Sequence, residues 1–453
     1  MFTRFPADRG KEAPDNRAIG SSKTIMGSRR NSRTQNASKT SKSSGRLPPM
    51  IIIITIAIFL PLSEYDIGGL ALTPARIVLL IAIIPTVVRL ISGAAGRIQL
   101  PDIMMISFVF WCVTSLLING GRSSTNYAGI TAVEYTAPYF IARTLIRSID
   151  HYTGLVRLLF ILSILCGIGA AIESLTTYRI YHAFFDIIGD VYPPTPERYE
   201  KRLGMTRSAG TFQHPILFGV ALSLLFSPVI FLRRSNGSRG GVIYGALSFI
   251  SPFFSLSTGA WLSVFTQLLL IAWAKVFTKK IWRWRLLAGL VVIGYIFIDA
   301  ASNRSPFEVF VSYATLNAST SYMRILIFEQ GIQNVWSNPI FGVGSNEWVR
   351  PSWMPPSVDN YWLLLAMRYG VPGFLLAAGG FLSALILTAR ANLTGQILTE
   401  QRSAYIFAFI GVALSACTVH LWGTAFYLVY LMLGAFSWAW EQKPSASSRN
   451  ERL

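Results

Sequence analysis

From Ile51 to Trp440 one pattern recurs: an apolar run, a short polar or basic connection, then another apolar run. The runs are about 17–22 residues long, the length an α-helix needs to cross the hydrocarbon of a bilayer. Lipid offers no partner to a backbone N–H or C=O, so such a run must close its hydrogen bonds within itself and predicts a helix. Windowed hydropathy predicts about twelve spans. They cover residues 50–62, 71–91, 102–118, 129–146, 154–173, 212–231, 241–257, 260–277, 286–300, 371–389, 403–419 and 422–440. The first is short and follows Pro48-Pro49, and the fourth carries Glu134, Pro138 and Arg143. The expected fold is all-α, a polytopic membrane helical bundle with a large outer loop.

Charge orients the bundle. Arg89 and Arg97, Arg147 and Arg157, Arg233 to Arg239, Lys275 to Arg285, and Arg390 and Arg402 fall in alternate connections, which predicts an inner face and both termini on it. Residues 1–49 are basic and rich in serine, too poor in apolar surface to fold, and are expected to be a disordered cytoplasmic tail. Residues 50–440 form the membrane domain and 441–453 a second cytoplasmic tail. Two outer connections are long, about 174–211 and about 301–370, and long loops tend to carry function. The second mixes Trp336, Trp348 and Trp353 with polar residues and is expected to fold against the membrane surface. The net charge of +19 sits in the first tail and the inner connections, so it sets topology and implies no nucleic acid. Cys112, Cys166 and Cys417 all lie in apolar runs and read as small core residues.

The chemistry is expected in the outer connections. They hold Arg122, Arg179, Arg198, Arg202, Arg207, Arg304, Arg324, Arg350 and Arg368 against one lysine, Lys201. Guanidinium is a planar fork of donors, always charged, that suits phosphate oxygens. Arg198 and Arg202, beside Glu197 and Glu200, read as ordinary surface arginines. Arg207 and Arg324, beside small residues at a membrane boundary, read as functional. Asp359 precedes a helix and taken alone reads as a cap. Glu134 is an ionisable group within a span, a functional suspect by default. His214 and His420 read as structural. There is no metal-ligand spacing of His or Cys, no P-loop and no Asp-x-Asp, so no metal and no cofactor is expected, and the donor is activated by something other than a nucleotide.

Three blocks resemble the O-antigen ligase and polysaccharide polymerase family of bacterial inner membranes. Arg207-Ser208-Ala209-Gly210-Thr211-Phe212, with Pro215 and Gly219, is similar to its Arg-x-x-Gly-x-Phe block. Arg324 with Trp336, Asn338-Pro339 and Gly342-x-Gly344 is similar to its second arginine block. Asn360, nine intervening residues and Gly370-x-x-Gly373 are similar to its third. The resemblance covers roughly residues 70–440 and departs at Asp359, where ligases carry histidine, and at Leu256-Ser257-Thr258-Gly259-Ala260, where a serine-arginine block is usual.

The resemblance implies an inner-membrane glycosyltransferase that polymerises undecaprenyl-pyrophosphate-linked repeat units into exopolysaccharide or O-antigen at the periplasmic face. In it Arg207 and Arg324 bind pyrophosphate, Asp359 is the base, and Arg350, Asn360, Arg368 and Arg122 bind substrate. Trp348, Trp353, Tyr361 and Trp362 are placed to stack on sugars, although an interfacial role suits them better. The expected partners are the lipid-linked glycan, the bilayer, and a chain-length regulator or other polysaccharide assembly proteins. The alternatives are a ligase that transfers finished glycan to a lipid A core or other acceptor, and a lipid-linked glycan transporter or flippase. A transporter would hold its charges near the midplane, where only Glu134 and Arg143 qualify.

Overall fold

The computed structural model describes residues 45–61, 64–67, 70–187, 201–233, 238–278, 280–315 and 317–442. Most of the two expected tails, and Arg198, lie outside them.

The described residues are mostly helical. α1 (Pro49–Ile58) starts on the proline pair and ends at Phe59, two residues before Pro61. A small hairpin of β1 (Tyr65–Ile67) and β2 (Leu70–Leu72) leads into α2 (Pro74–Ile91), where the Thr73 side chain accepts from Arg76 N–H at 3.2 Å and Pro74 stands in the first turn. α3 (Leu100–Gly120) and α4 (Thr125–Leu145) pack against each other across a turn at Gly121, whose φ is 57°. α5 (Ile149–Thr176) and the short α6 (Ile180–Phe185) follow. The hairpin of β3 (Lys201–Arg202) and β4 (Met205–Thr206) turns at Leu203-Gly204, both with positive φ, as a tight two-residue turn requires.

α7 (Pro215–Ser223) and α8 (Phe226–Arg233) form one nearly continuous run. α9 (Ser238–Phe254), α10 (Thr258–Val276) and α11 (Arg283–Ala301) come next. The expected outer loop at 301–370 contains α12 (Pro306–Tyr313) and α13 (Ala318–Ser337), then an irregular stretch to Asn360. α14 (Tyr361–Arg390) breaks at Gly370, and only the part after the break coincides with the expected span at 371–389. α15 (Gln396–Ser415) and α16 (Gly423–Ala435) complete the bundle.

Among the described residues, nine stretches are helical, long and apolar enough to cross a membrane. The expected count of about twelve is not reached, for two reasons. The runs at 50–62 and 241–257 form helices of fewer than 18 residues, and Leu100–Leu145, counted as one stretch, contains both α3 and α4. α16 is buried along its whole length from Thr424 to Ala435 and packs along α4, while α14 packs along α3 and α10 along α15. α11 buries none of its residues, as suits a helix whose surroundings are lipid.

The two suspect charges within the spans both have partners. Arg143, on α4, donates to Asp102 at 3.2 Å and to the carbonyls of Ala95 and Arg97 at 2.7 and 2.8 Å. Tyr139 donates to the same carboxylate at 2.8 Å. Glu134 accepts from Arg76 Nε at 2.7 Å and from the Tyr427 hydroxyl. Removing one partner of the buried Arg143–Asp102 pair costs about 3–5 kcal/mol, and the part-buried Arg76–Glu134 pair is worth less. Both groups therefore hold helices together.

Candidate functional site

The Arg207 block is held from both sides. Ser208 N–H donates to Phe254 O at 3.0 Å, while the buried Glu173 accepts from the Ser208 hydroxyl and from Gly210 N–H at 3.3 Å. Gly210 has φ 55°, and a Cβ there would stand 2.8 Å from the Phe218 ring, so both conformation and space demand glycine. Arg207 Nε donates to Ser255 O at 3.4 Å, and Arg202, carried by β3, donates to Leu256 O at 3.0 Å. Two arginines thus grip the turn that starts α10.

Arg324 lies two turns into α13, whose start is capped by Asn317 accepting from Ser319 N–H at 3.0 Å. Its guanidinium is buried, with Nε 3.7 Å from Asp359 Oδ2. Its Nη1 has no hydrogen-bond partner among the described residues. Burial pushes this arginine below its ordinary value, opposed by the nearby Asp359 carboxylate. Asp359 is not the helix cap. Asn360 takes that role, its Oδ1 accepting from Leu363 N–H at 3.0 Å, which leaves the preceding carboxylate to face Arg324.

These residues line one polar cavity of about 360 Å³, together with Arg202, His214, Ile216, Ser257, Thr258, Thr315, Asn317, Thr320 and Ser357. Among the described lining residues, three guanidinium groups stand against one carboxylate, a net positive balance. α7, α10, α13 and α14 all begin at or beside it, so the positive ends of four helix dipoles converge on the same space. Such a place stabilises an anion twice, through fixed dipoles and through side-chain charge. His214 caps α7, its Nδ1 accepting from Ile216 N–H at 3.2 Å. Burial and then Arg207 push it down to about 4, so the ring is neutral at neutral pH.

A glycine seam aligns α13 with α14. The break at Gly370 frees carbonyls that α14 cannot satisfy itself, and residues 338–344 supply the donors. Val343 N–H reaches Met367 O at 2.8 Å and Gly344 N–H reaches Arg368 O at 2.9 Å. Trp111 Nε1 takes Tyr369 O at 2.9 Å, and Val371 N–H donates back to Pro339 O at 2.8 Å. A Cβ on Gly370 would lie 2.0 Å from Ile340 O, and one on Gly342 2.4 Å from Met367 O. Gly342 of the second block and Gly370 of the third are therefore two sides of one backbone contact.

Of the residues expected at the site, Arg207, Arg324 and Asp359 share the cavity. Asn360 adjoins it as a cap. Arg350 is engaged within its own loop, with Glu347 at 3.3 Å and over the Trp348 ring. Arg368 donates to Tyr127 at 3.1 Å, and Arg122 is exposed on the turn between α3 and α4. None of these three lines the cavity. Trp348 donates to Pro356 O and Trp362 to Ala413 O, while Tyr361 is buried against Tyr430, so none of the three lines it either. Arg202 and His214, read from sequence as surface and structural residues, are in it. The signal for Arg202 was available in Arg202-Leu203-Gly204, a tight-turn sequence that folds it back beside the Arg207 block.

Residues 243–378 match the family model described as O-antigen ligase. The match takes in Arg324, Asp359, Asn360 and the glycine seam, while Arg202, Arg207 and His214 precede it. No curated protein matches the chain. The family is one of ligase- and polymerase-type enzymes acting on lipid-linked glycans, and the match together with the apolar helices supports a multi-pass bacterial membrane protein.

Proposed function

From the O-antigen ligase match as premise, we propose that this protein polymerises undecaprenyl-pyrophosphate-linked repeat units at the periplasmic face of the inner membrane, with both termini cytoplasmic. The observation that carries the reading is the convergence of Arg207, Arg324 and Asp359, from three separate sequence blocks, on one net-positive cavity. Its volume of about 360 Å³ accommodates a pyrophosphate and part of an attached sugar.

In the reaction a hydroxyl of one lipid-linked unit attacks the anomeric carbon of the glycan on another lipid. The C–O bond to the sugar forms while the bond from the anomeric carbon to pyrophosphate oxygen breaks, and that oxygen keeps the electron pair. Asp359 accepts the hydroxyl proton, and Arg202, Arg207 and Arg324 stabilise the charge that builds on the leaving pyrophosphate. Direct displacement of this kind inverts the anomeric centre. Substrate contacts by Arg122, Arg350, Asn360 and Arg368 would fall outside this cavity, which none of the four lines. The transporter reading loses support because Glu134 and Arg143 are both committed to ion pairs.

The test is the length distribution of glycans on undecaprenyl pyrophosphate in cells lacking the protein. Single repeat units are expected to accumulate, with long chains restored by the wild-type protein. Accumulation of long lipid-linked chains would instead assign it as the ligase.

A further inference from the structure

We propose that Glu173 and Ser174, at the end of α5, are positioning residues for Arg207, fixing the backbone on either side of it so that its guanidinium stands where the pyrophosphate binds. This rests on the pyrophosphate reading of the cavity and adds to it two residues that do not line it. Glu173 is a carboxylate near the end of a spanning helix, only 3% exposed, and such a group is costly unless its oxygens are used. Both oxygens are engaged. Oε2 accepts from the Ser208 hydroxyl and from Gly210 N–H at 3.3 Å, and Oε1 lies 3.3 Å from Arg179 Nε. The neighbouring Ser174 hydroxyl, on another buried side chain, donates to Thr206 O at 2.6 Å. Contacts from α5 therefore fall on the residues immediately before and after Arg207, and again at Gly210. From the end of α9, Phe254 O takes Ser208 N–H and Ser255 O takes Arg207 Nε. A charged group that meets a leaving group needs support of this kind, because a displacement of about 1 Å can cost about 10²-fold in rate.

Positioning through Arg207 has a signature that general support of the fold lacks. Binding of farnesyl pyrophosphate to the full-length protein in lipid nanodiscs is measured with and without Glu173→Ala, in the wild type, in Arg207→Ala and in Arg324→Ala. Glu173→Ala should weaken binding by about tenfold in the wild type and again in Arg324→Ala, a coupling usual between residues of one network. In Arg207→Ala, with no guanidinium left to aim, the same change should have no further effect. Glu173→Gln keeps an acceptor oxygen for Ser208 and Gly210 and should bind within about threefold of wild type. Ser174→Ala removes one hydroxyl and leaves Glu173 in place, so it carries the same test should Glu173→Ala fail to fold. Its loss should be about threefold, again only where Arg207 is present. Equal losses in the Arg207→Ala and Arg324→Ala backgrounds would mark a general loosening of the cavity and overturn the positioning role alone. Absence of saturable binding by the wild type would overturn the pyrophosphate reading and this inference with it.

Discussion

Replacing Asp359 by Asn keeps the shape of the side chain and removes its charge, which separates two roles. Asp359 is 3.7 Å from Arg324 Nε, where a unit charge pair is worth about 4 kcal/mol at an effective dielectric of about 20. The Asp359 side chain is 37% exposed and the contact is longer than a hydrogen bond, so screening reduces this to about 1 kcal/mol. In the variant the carboxylate no longer competes for Arg324, and the same 1 kcal/mol makes pyrophosphate binding about fivefold tighter. The amide cannot accept the hydroxyl proton, so turnover should fall about 10²- to 10⁴-fold. The assay uses purified protein in nanodiscs with lipid-linked repeat units extracted from cells lacking it. Chain growth is followed by gel and donor binding by competition with farnesyl pyrophosphate. Tighter binding with lost turnover is the expected pair of results. Turnover within threefold of wild type would refute the base, and binding that falls in step with turnover would show that Asp359 only holds Arg324.

Arg207→Lys and Arg324→Lys keep the charge and lose the fork of donors; each should abolish polymer while the protein still reaches the membrane, and normal polymer from both would remove the pyrophosphate clamp. Gly370→Ala places a Cβ 2.0 Å from Ile340 O at a residue with φ 70°, and should cost roughly 2–4 kcal/mol; an unchanged unfolding midpoint in detergent would show that the seam yields easily. Burial, with Arg179, Arg207 and Arg368 respectively, pushes His182, His214 and His420 down to about 4, 4 and 3. Their folded values lie below the unfolded one, so the unfolded chain binds more protons across that window, and stability present above about pH 6.5 is lost as pH falls towards 4. The unfolding midpoint should drop between pH 6.5 and 4.5, less steeply in His214→Asn, and a flat profile would contradict the burial of these rings.

The membrane class and the helices were legible because both follow from local composition. An apolar run has only a helix available to it in lipid, whatever the rest of the chain does. The glycines of Gly342-x-Gly344 and Gly370-x-x-Gly373 were visible as a pattern, and so were Arg207, Arg324 and Asp359 as candidates, since arginine at a membrane boundary stands out by residue type. The number of spans was less legible, because hydropathy does not say that the runs at 50–62 and 241–257 form helices of fewer than 18 residues.

Tertiary structure decided which candidates meet. Arg202 looked like a surface residue until the turn at Leu203-Gly204 folded it onto the start of α10. Asp359 read alone as a cap, but Asn360 caps the helix and the carboxylate faces Arg324 instead. Glu134 looked functional, yet Arg76 pairs with it from another helix, as Asp102 does with Arg143. In each case the deciding partner is remote in the chain or lies across a turn. Residue type reports what a side chain can do, and the packing of α7, α10, α13 and α14 around one cavity determines what it does there.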